Sequence, residues 1–249
     1  MIPISSHKLM QQLVRNPLFR RGPSRHSLDP SPQTYPGRIS WDYDRIEIIA
    51  DGIIHATGIS LGLVGAIAII IVAVDLPHIE ITSIAIYILG LVAMLVISAA
   101  YNMWPIAPTK WILRRFDHSA IYLLIAGTYM PFLAQMKSSV VAVGFGIGVW
   151  ASAVIGVVLK LALPGRFDRM AIVLCLLLGW SGVAAYASIA SALPNAALWL
   201  LLTGGALYSF GTLFHVWRRL RFHNAIWHSF VLAAASCHYS AVLACLARS

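Results

Sequence analysis

The sequence predicts an all-α membrane protein of seven transmembrane helices, with the N-terminus cytoplasmic and the C-terminus outside. Three observations carry that expectation: composition, a series of apolar runs of membrane length, and the placement of the basic residues. Hydrophobic residues make up 59% of the 249 and charged residues only 11%, with a mean hydropathy of +0.78. That balance lies outside the range of a soluble domain of this size.

Seven runs reach the roughly 20 residues that an α-helix needs to cross about 30 Å of hydrocarbon. They cover 46–74, 81–104, 117–135, 140–161, 170–189, 196–215 and 224–246. Alternating strand patterns are missing from all of them, which argues against a β-barrel. Pro77, Pro105, Pro108, Pro164 and Pro194 fall between runs, where the extended residue favoured before proline ends a helix cheaply. Pro131 lies inside the third run and predicts a kink there.

Residues 1–44 differ in kind from the membrane domain, 45–249. The segment is rich in Pro, Ser and Arg and has no apolar core of signal-peptide length. It reads as a disordered basic tail attracted to anionic headgroups. Its arginines are scattered and no binding module accompanies them, so nucleic acid is not an expected partner; membrane lipids are. With the N-terminus inside, every one of the 18 Lys and Arg residues except Lys137 and Arg248 falls on the cytoplasmic side, while Asp75 and Glu80 share an outer loop without a base. The positive-inside rule therefore orients a multi-pass protein of the cell's inner (plasma) membrane. Cys175, Cys237 and Cys245 sit in apolar runs without a pairing or zinc-binding pattern, as small buried hydrophobes do.

Orientation fixes depth. The first, third and seventh helices begin at the cytoplasmic face and the second ends there, and polar residues collect at these four ends. Glu47, Asp51 and His55 follow one another at intervals of four on the first helix, so they share a face. Ser98 and Asn102 close the second helix, Asp117 and His118 open the third, and Asn224 and His228 open the seventh. Ionisable groups inside a membrane are expensive to bury and mark functional sites by default. Convergence of four helix ends at one depth predicts a hydrated cavity or metal site facing the cytoplasm, with hydrogen-bonded helix packing as the competing explanation.

The segments DGIIHATGISLGLVGA, SAAYNMWP, RRFDHSAIYLLIAGTYMPF and HNAIWHSFVLAAASCHYSAVL resemble, in order and spacing, the hemolysin III proteins, the bacterial branch of the progestin and adipoQ receptor family. The resemblance implies seven helices with a cytoplasmic N-terminus. It also implies a zinc ion held by three histidines, from a Ser-x-x-x-His on the second helix and a His-x-x-x-His on the seventh. An Asp opening the third helix would hold the water that the metal activates. This arrangement is similar to that of membrane ceramidases, which hydrolyse lipid amides. On that pattern Asp117 and Ser98 are the catalytic candidates, and Asn102, Asn224 and His228 occupy the metal positions.

Two of the three imidazoles are amides in this chain, at Asn102 and Asn224. An amide oxygen is a weak, neutral ligand better suited to hard cations than to zinc. His223 does not repair the motif, because a spacing of five puts it on a different face from His228. Three readings follow. A divalent metal is held by an altered set drawn from His228, Asp117, Asp51 and His55; the site is metal-free, with the asparagines bonding Asp117 and His228; or it is a purely structural remnant. At the level of function, a metal-dependent lipid-amide hydrolase or receptor stands beside a proton or cation transporter, channel or modulator of membrane energetics. Membrane permeabilisation is implied by the family name alone.

Overall fold

The computed structural model describes residues 41, 43–163 and 168–247; most of the expected basic tail lies outside them. Eight α-helices occur among the described residues: α1 (Arg45–Ala73), α2 (His78–Met103), α3 (Pro108–Ala134), α4 (Ser139–Ala162), α5 (Asp168–Trp180), α6 (Tyr186–Ala192), α7 (Asn195–Val216) and α8 (His223–Leu246). A 3-10 turn, Ser181–Ala185, joins α5 to α6. No strand occurs among the described residues. Neighbours in sequence pack side by side from α1 to α5, α5 touches α7, and α8 lies between α7 and α1 and also reaches α3. The result is a closed bundle with most of its basic residues at one end.

Among the described residues six stretches are long and apolar enough to cross a membrane: Arg45–Ala73, His78–Met103, Val140–Ala162, Asp168–Ala192, Asn195–Val216 and His223–Leu246. Six of the seven expected spans are thus found by length and apolarity. The missing one is α3, which has ample length at 27 residues. Its apolar stretch is interrupted by Asp117, His118, Tyr122, Thr128, Tyr129 and Pro131. Packing explains why such a sequence is tolerated: Ser119, Ala120, Tyr122, Leu124, Ala126 and Gly127 are all buried against neighbours. The helix continues through Pro131.

The span expected as one run at 170–189 is instead broken by the 3-10 turn at Ser181–Ala185. A Ser–Gly step is a common site for such breaks, and backbone groups freed within a membrane need new partners. Tyr129 of α3 supplies them. Its hydroxyl accepts from the Gly182 N–H at 2.9 Å and donates to the Gly179 carbonyl at 2.7 Å. A second tyrosine on the same helix, Tyr122, donates to the Ala171 carbonyl at 3.0 Å. The polar character that costs α3 its apolarity thereby secures α5.

At the basic end, Asp44 caps α1. Its carboxylate accepts from the Glu47 N–H at 2.9 Å, and Glu47 accepts in return from the Asp44 N–H at 3.0 Å, the reciprocal pattern of a capping box. Arg221 pairs with Asp44 at 3.0 Å, and the Phe222 N–H donates to Glu47 at 3.0 Å. Phe222 has φ 62°, so the turn into α8 uses a left-handed residue that this clasp holds in place. The Glu47 N–H and then the Arg221 guanidinium hold the Asp44 carboxyl below its ordinary range.

Two outcomes are expected. Replacing Asp44 by Ala should destabilise the protein by about 1 kcal/mol, the usual cost of a lost N-cap, measured as a lower unfolding midpoint in detergent. A lowered folded-state pKa stabilises above the unfolded value and is lost as pH falls through the folded one, so wild type and Asp44→Ala should converge in acid. In addition, a methyl group at Gly156 would run into the buried Tyr122 ring; Gly156→Ala should therefore cost about 1–3 kcal/mol by overpacking, whereas an unchanged midpoint would show that the contact relaxes freely.

Candidate functional site

Helical periodicity brings the site together. Asp51 and His55 are one turn apart on α1, with 4% and 7% of their surfaces exposed, and both face α8 rather than lipid. From α8, the His228 Nδ1 lies 2.6 Å from Asp51 Oδ1. Asn224, one turn earlier, donates its amide N–H to Asp51 Oδ2 at 2.8 Å. The same amide nitrogen donates to Asn102 Oδ1 at 2.9 Å. Asn102 then turns back on α2, donating to the Ser98 carbonyl at 2.9 Å and to its hydroxyl at 3.4 Å. One continuous polar chain therefore crosses from α1 through α8 to α2.

Asp117 closes the arrangement from α3. Ser98, His228, His55 and Arg114 are its polar neighbours. His118 approaches its carboxylate only at 4.0 Å. The two arginines preceding Asp117 do not neutralise it by direct pairing: Arg114 binds Asp168 at 2.8 Å, and Lys160 binds the other oxygen of Asp168 at 2.7 Å. That second cluster ties α3, α4 and α5 together beside the site.

Of the residues expected here, Asp51, His55, Ser98, Asn102, Asp117, Asn224 and His228 come together. Glu47 stands one turn outside, committed to the cap of α1 and the Phe222 N–H. Lys110, one of the cytoplasmic-side bases by sequence, is buried, donating to the carbonyls of Asn102 at 3.2 Å and Trp104 at 2.7 Å. Its ammonium thereby finishes the C-terminus of α2, where a cation is favoured. A narrow cleft reaches Asp51 between Trp41, Tyr43, Met103, Lys110 and Asn224. Trp41 is tied across its mouth, donating to the Tyr101 hydroxyl at 3.0 Å. Nothing in the spacing of Lys110 or Trp41 announces these contacts, because both depend on how the chain folds back between elements.

Asp51, His55 and His228 form a candidate metal-binding group, each offering one ligand atom with all of them within 4.8 Å of one another. The two imidazole rings lie 4.5 Å apart, tilted by 55°. The three-imidazole zinc set implied by the resemblance fits the site poorly. Asn102 and Asn224 stand at two of its positions and are engaged with each other, with Ser98 and with Asp51.

Comparison with known proteins adds the following. The model of the family described as "Haemolysin-III related" matches residues 47–239. A "Hemolysin-3 homolog" from Bacillus subtilis (strain 168) is 35% identical over 79% of this chain and 93% of its own length. "Hemolysin-3" from Bacillus cereus is 38% identical over 51% of this chain and 58% of its own. A more distant relative, the "Monocyte to macrophage differentiation factor" of Homo sapiens, is 28% identical over 66% of this chain and 70% of its own. No solved structure matches the chain.

The amide bridge makes a direct prediction. Asn224→Ala leaves both Asp51 Oδ2 and Asn102 Oδ1 without the donor they share, so the unfolding free energy should fall by about 1–3 kcal/mol. A midpoint equal to that of the wild type would show that the bridge contributes no net stability.

Proposed function

Because the chain belongs to the haemolysin-III-related family, we propose that it is a multi-pass protein of the inner (plasma) membrane, N-terminus cytoplasmic, that hydrolyses amide-linked lipids at the inner leaflet. One observation supports this reading above the others: Asp117 lies beside Ser98 at the end of the bundle where Asp51, His55, Asn102, Asn224 and His228 converge. A lipid amide is planar, neutral and poorly electrophilic, so its hydrolysis needs a positioned base and donors for the oxygen that gains charge. The Asp117 carboxylate is the group placed to orient water and accept its proton. Ser98 neighbours that carboxylate, and Arg114 supplies a positive charge on the same helix. The chain Asp51–Asn224–Asn102 holds α1, α8 and α2 at the spacing the cavity requires. No step is assigned to the three-imidazole zinc centre of the resemblance, since two of its positions are amides already engaged.

A cation pathway is the second reading, favoured by the burial of Asp51 at 4% exposure. Membrane permeabilisation draws support only from the printed names of relatives.

The test uses the full chain reconstituted in vesicles containing a ceramide-type amide lipid, with fatty-acid release as the readout. Release by the wild type should fall by about 100-fold or more in Asp117→Asn, the scale of a lost general base, and Ser98→Ala should lower the rate at unchanged lipid affinity. Absence of release from the wild type would end the hydrolase reading. Cation flux that Asp117→Asn abolishes would replace it with the second one.

A further inference from the structure

We propose that Asp51, His55 and His228 bind a first-row divalent metal ion at a centre displaced from the position the family resemblance implies, toward α1. The inference rests on the geometry of these three side chains and not on the hydrolase reading. Their ligand atoms already lie within 4.8 Å of one another. A tetrahedral ion with metal–ligand bonds of ~2.1 Å holds its donors about 3.4 Å apart. His55 Nε2 stands 3.7 Å from Asp51 Oδ2, close to that spacing without any movement. His228 Nδ1 stands 2.6 Å from the other oxygen, Asp51 Oδ1, so the carboxylate would turn to present one oxygen to an ion lying between the two imidazoles.

The second observation is His55 itself. Its ring is buried, with 7% of the residue exposed, and its Nε2 has no hydrogen-bond partner. A buried ring nitrogen left unsatisfied is destabilising, and this one faces the Asp51 carboxylate at a distance too long for a hydrogen bond. A metal ion between the two satisfies it. Packing alone does not, since a leucine would fill the same space without the orphaned atom.

The donor set narrows the ion. Two imidazoles and one carboxylate suit zinc and iron(II), and exclude the all-oxygen chemistry of calcium and magnesium. Asn224 becomes a supporting residue, because its amide N–H orients the ligand carboxylate through Asp51 Oδ2. Since that nitrogen also donates to Asn102, the orientation of the Asn224 amide is fixed from two sides. Asn102 is then a structural partner and not a ligand. The carboxylate on α1 and the amides on α2 and α8 form one coherent arrangement, with the ligand atoms at 51, 55 and 228 and not at 102 and 224.

The experiment uses the full chain purified in detergent, stripped with a chelator and titrated separately with zinc(II) and, anaerobically, iron(II), with metal content and unfolding midpoint as readouts. The wild type should take up one ion per chain and gain thermal stability on doing so. His55→Ala should bind at least about 10-fold more weakly and lose the stabilisation, while Asn102→Ala should retain the ion, as expected for a residue beyond the ligand shell. His55→Gln covers the case in which the alanine variant fails to fold. X-ray absorption at the metal edge should show two imidazoles among the ligands. Less than stoichiometric uptake of both ions by the wild type, or loss of the ion in Asn102→Ala with retention in His55→Ala, would overturn the proposal. Metal binding without lipid hydrolysis would leave it standing and remove only the hydrolase reading.

Discussion

The contact on which the rest of the site depends is the one between Asp51 and His228. A carboxylate with 4% of its surface exposed cannot remain in a membrane bundle without partners, because burying an unpaired charge costs several kcal/mol or more. Here the partners all come from outside its own helix except His55. His228 meets one oxygen and Asn224 meets the other, so α8 is bound to α1 at two points one turn apart. The adjacency of the first and last helices closes the bundle and sets the distance between every other polar group at that end.

The amides follow from this constraint. An imidazole at position 224 would offer only one donor to a site that needs two, at Asp51 and at Asn102. The carboxamide nitrogen has two protons and serves both. Asn102 in turn offers an oxygen to Asn224 and spends its own amide on Ser98, and Ser98 faces Asp117. What reads in sequence as the loss of two metal ligands is, in the fold, a hydrogen-bonded chain that runs from the buried carboxylate of α1 to Ser98, beside the carboxylate of α3.

Much of this was legible in advance because helical spacing and membrane depth are strong rules. The i, i+4 pairs at 51 and 55, 98 and 102, and 224 and 228 foretold shared faces, and the loop charges foretold which helix ends lie together. The resemblance puts the catalytic carboxylate at Asp117, yet the hub of the hydrogen bonds is Asp51. Periodicity places a residue on a face but does not say which helix that face meets, and only the closure of α8 onto α1 decides it. The same limit applies to α3. Its tyrosines lowered its apolarity and removed it from the clear spans, and their purpose became visible only where Tyr129 bonds the broken backbone of α5 at Gly179 and Gly182. Lys110 and Trp41 were invisible as site residues because their roles arise from loops folding over helix ends.

The central claim is that Asp51 and His228 act as a unit joining α1 to α8. A double-mutant cycle measures it most directly, comparing the unfolding free energies of Asp51→Ala, His228→Ala and the double variant in detergent with a chelator present. The account predicts a coupling of about 0.5–3 kcal/mol, the range for residues in direct contact. Strictly additive effects of the two substitutions would contradict it.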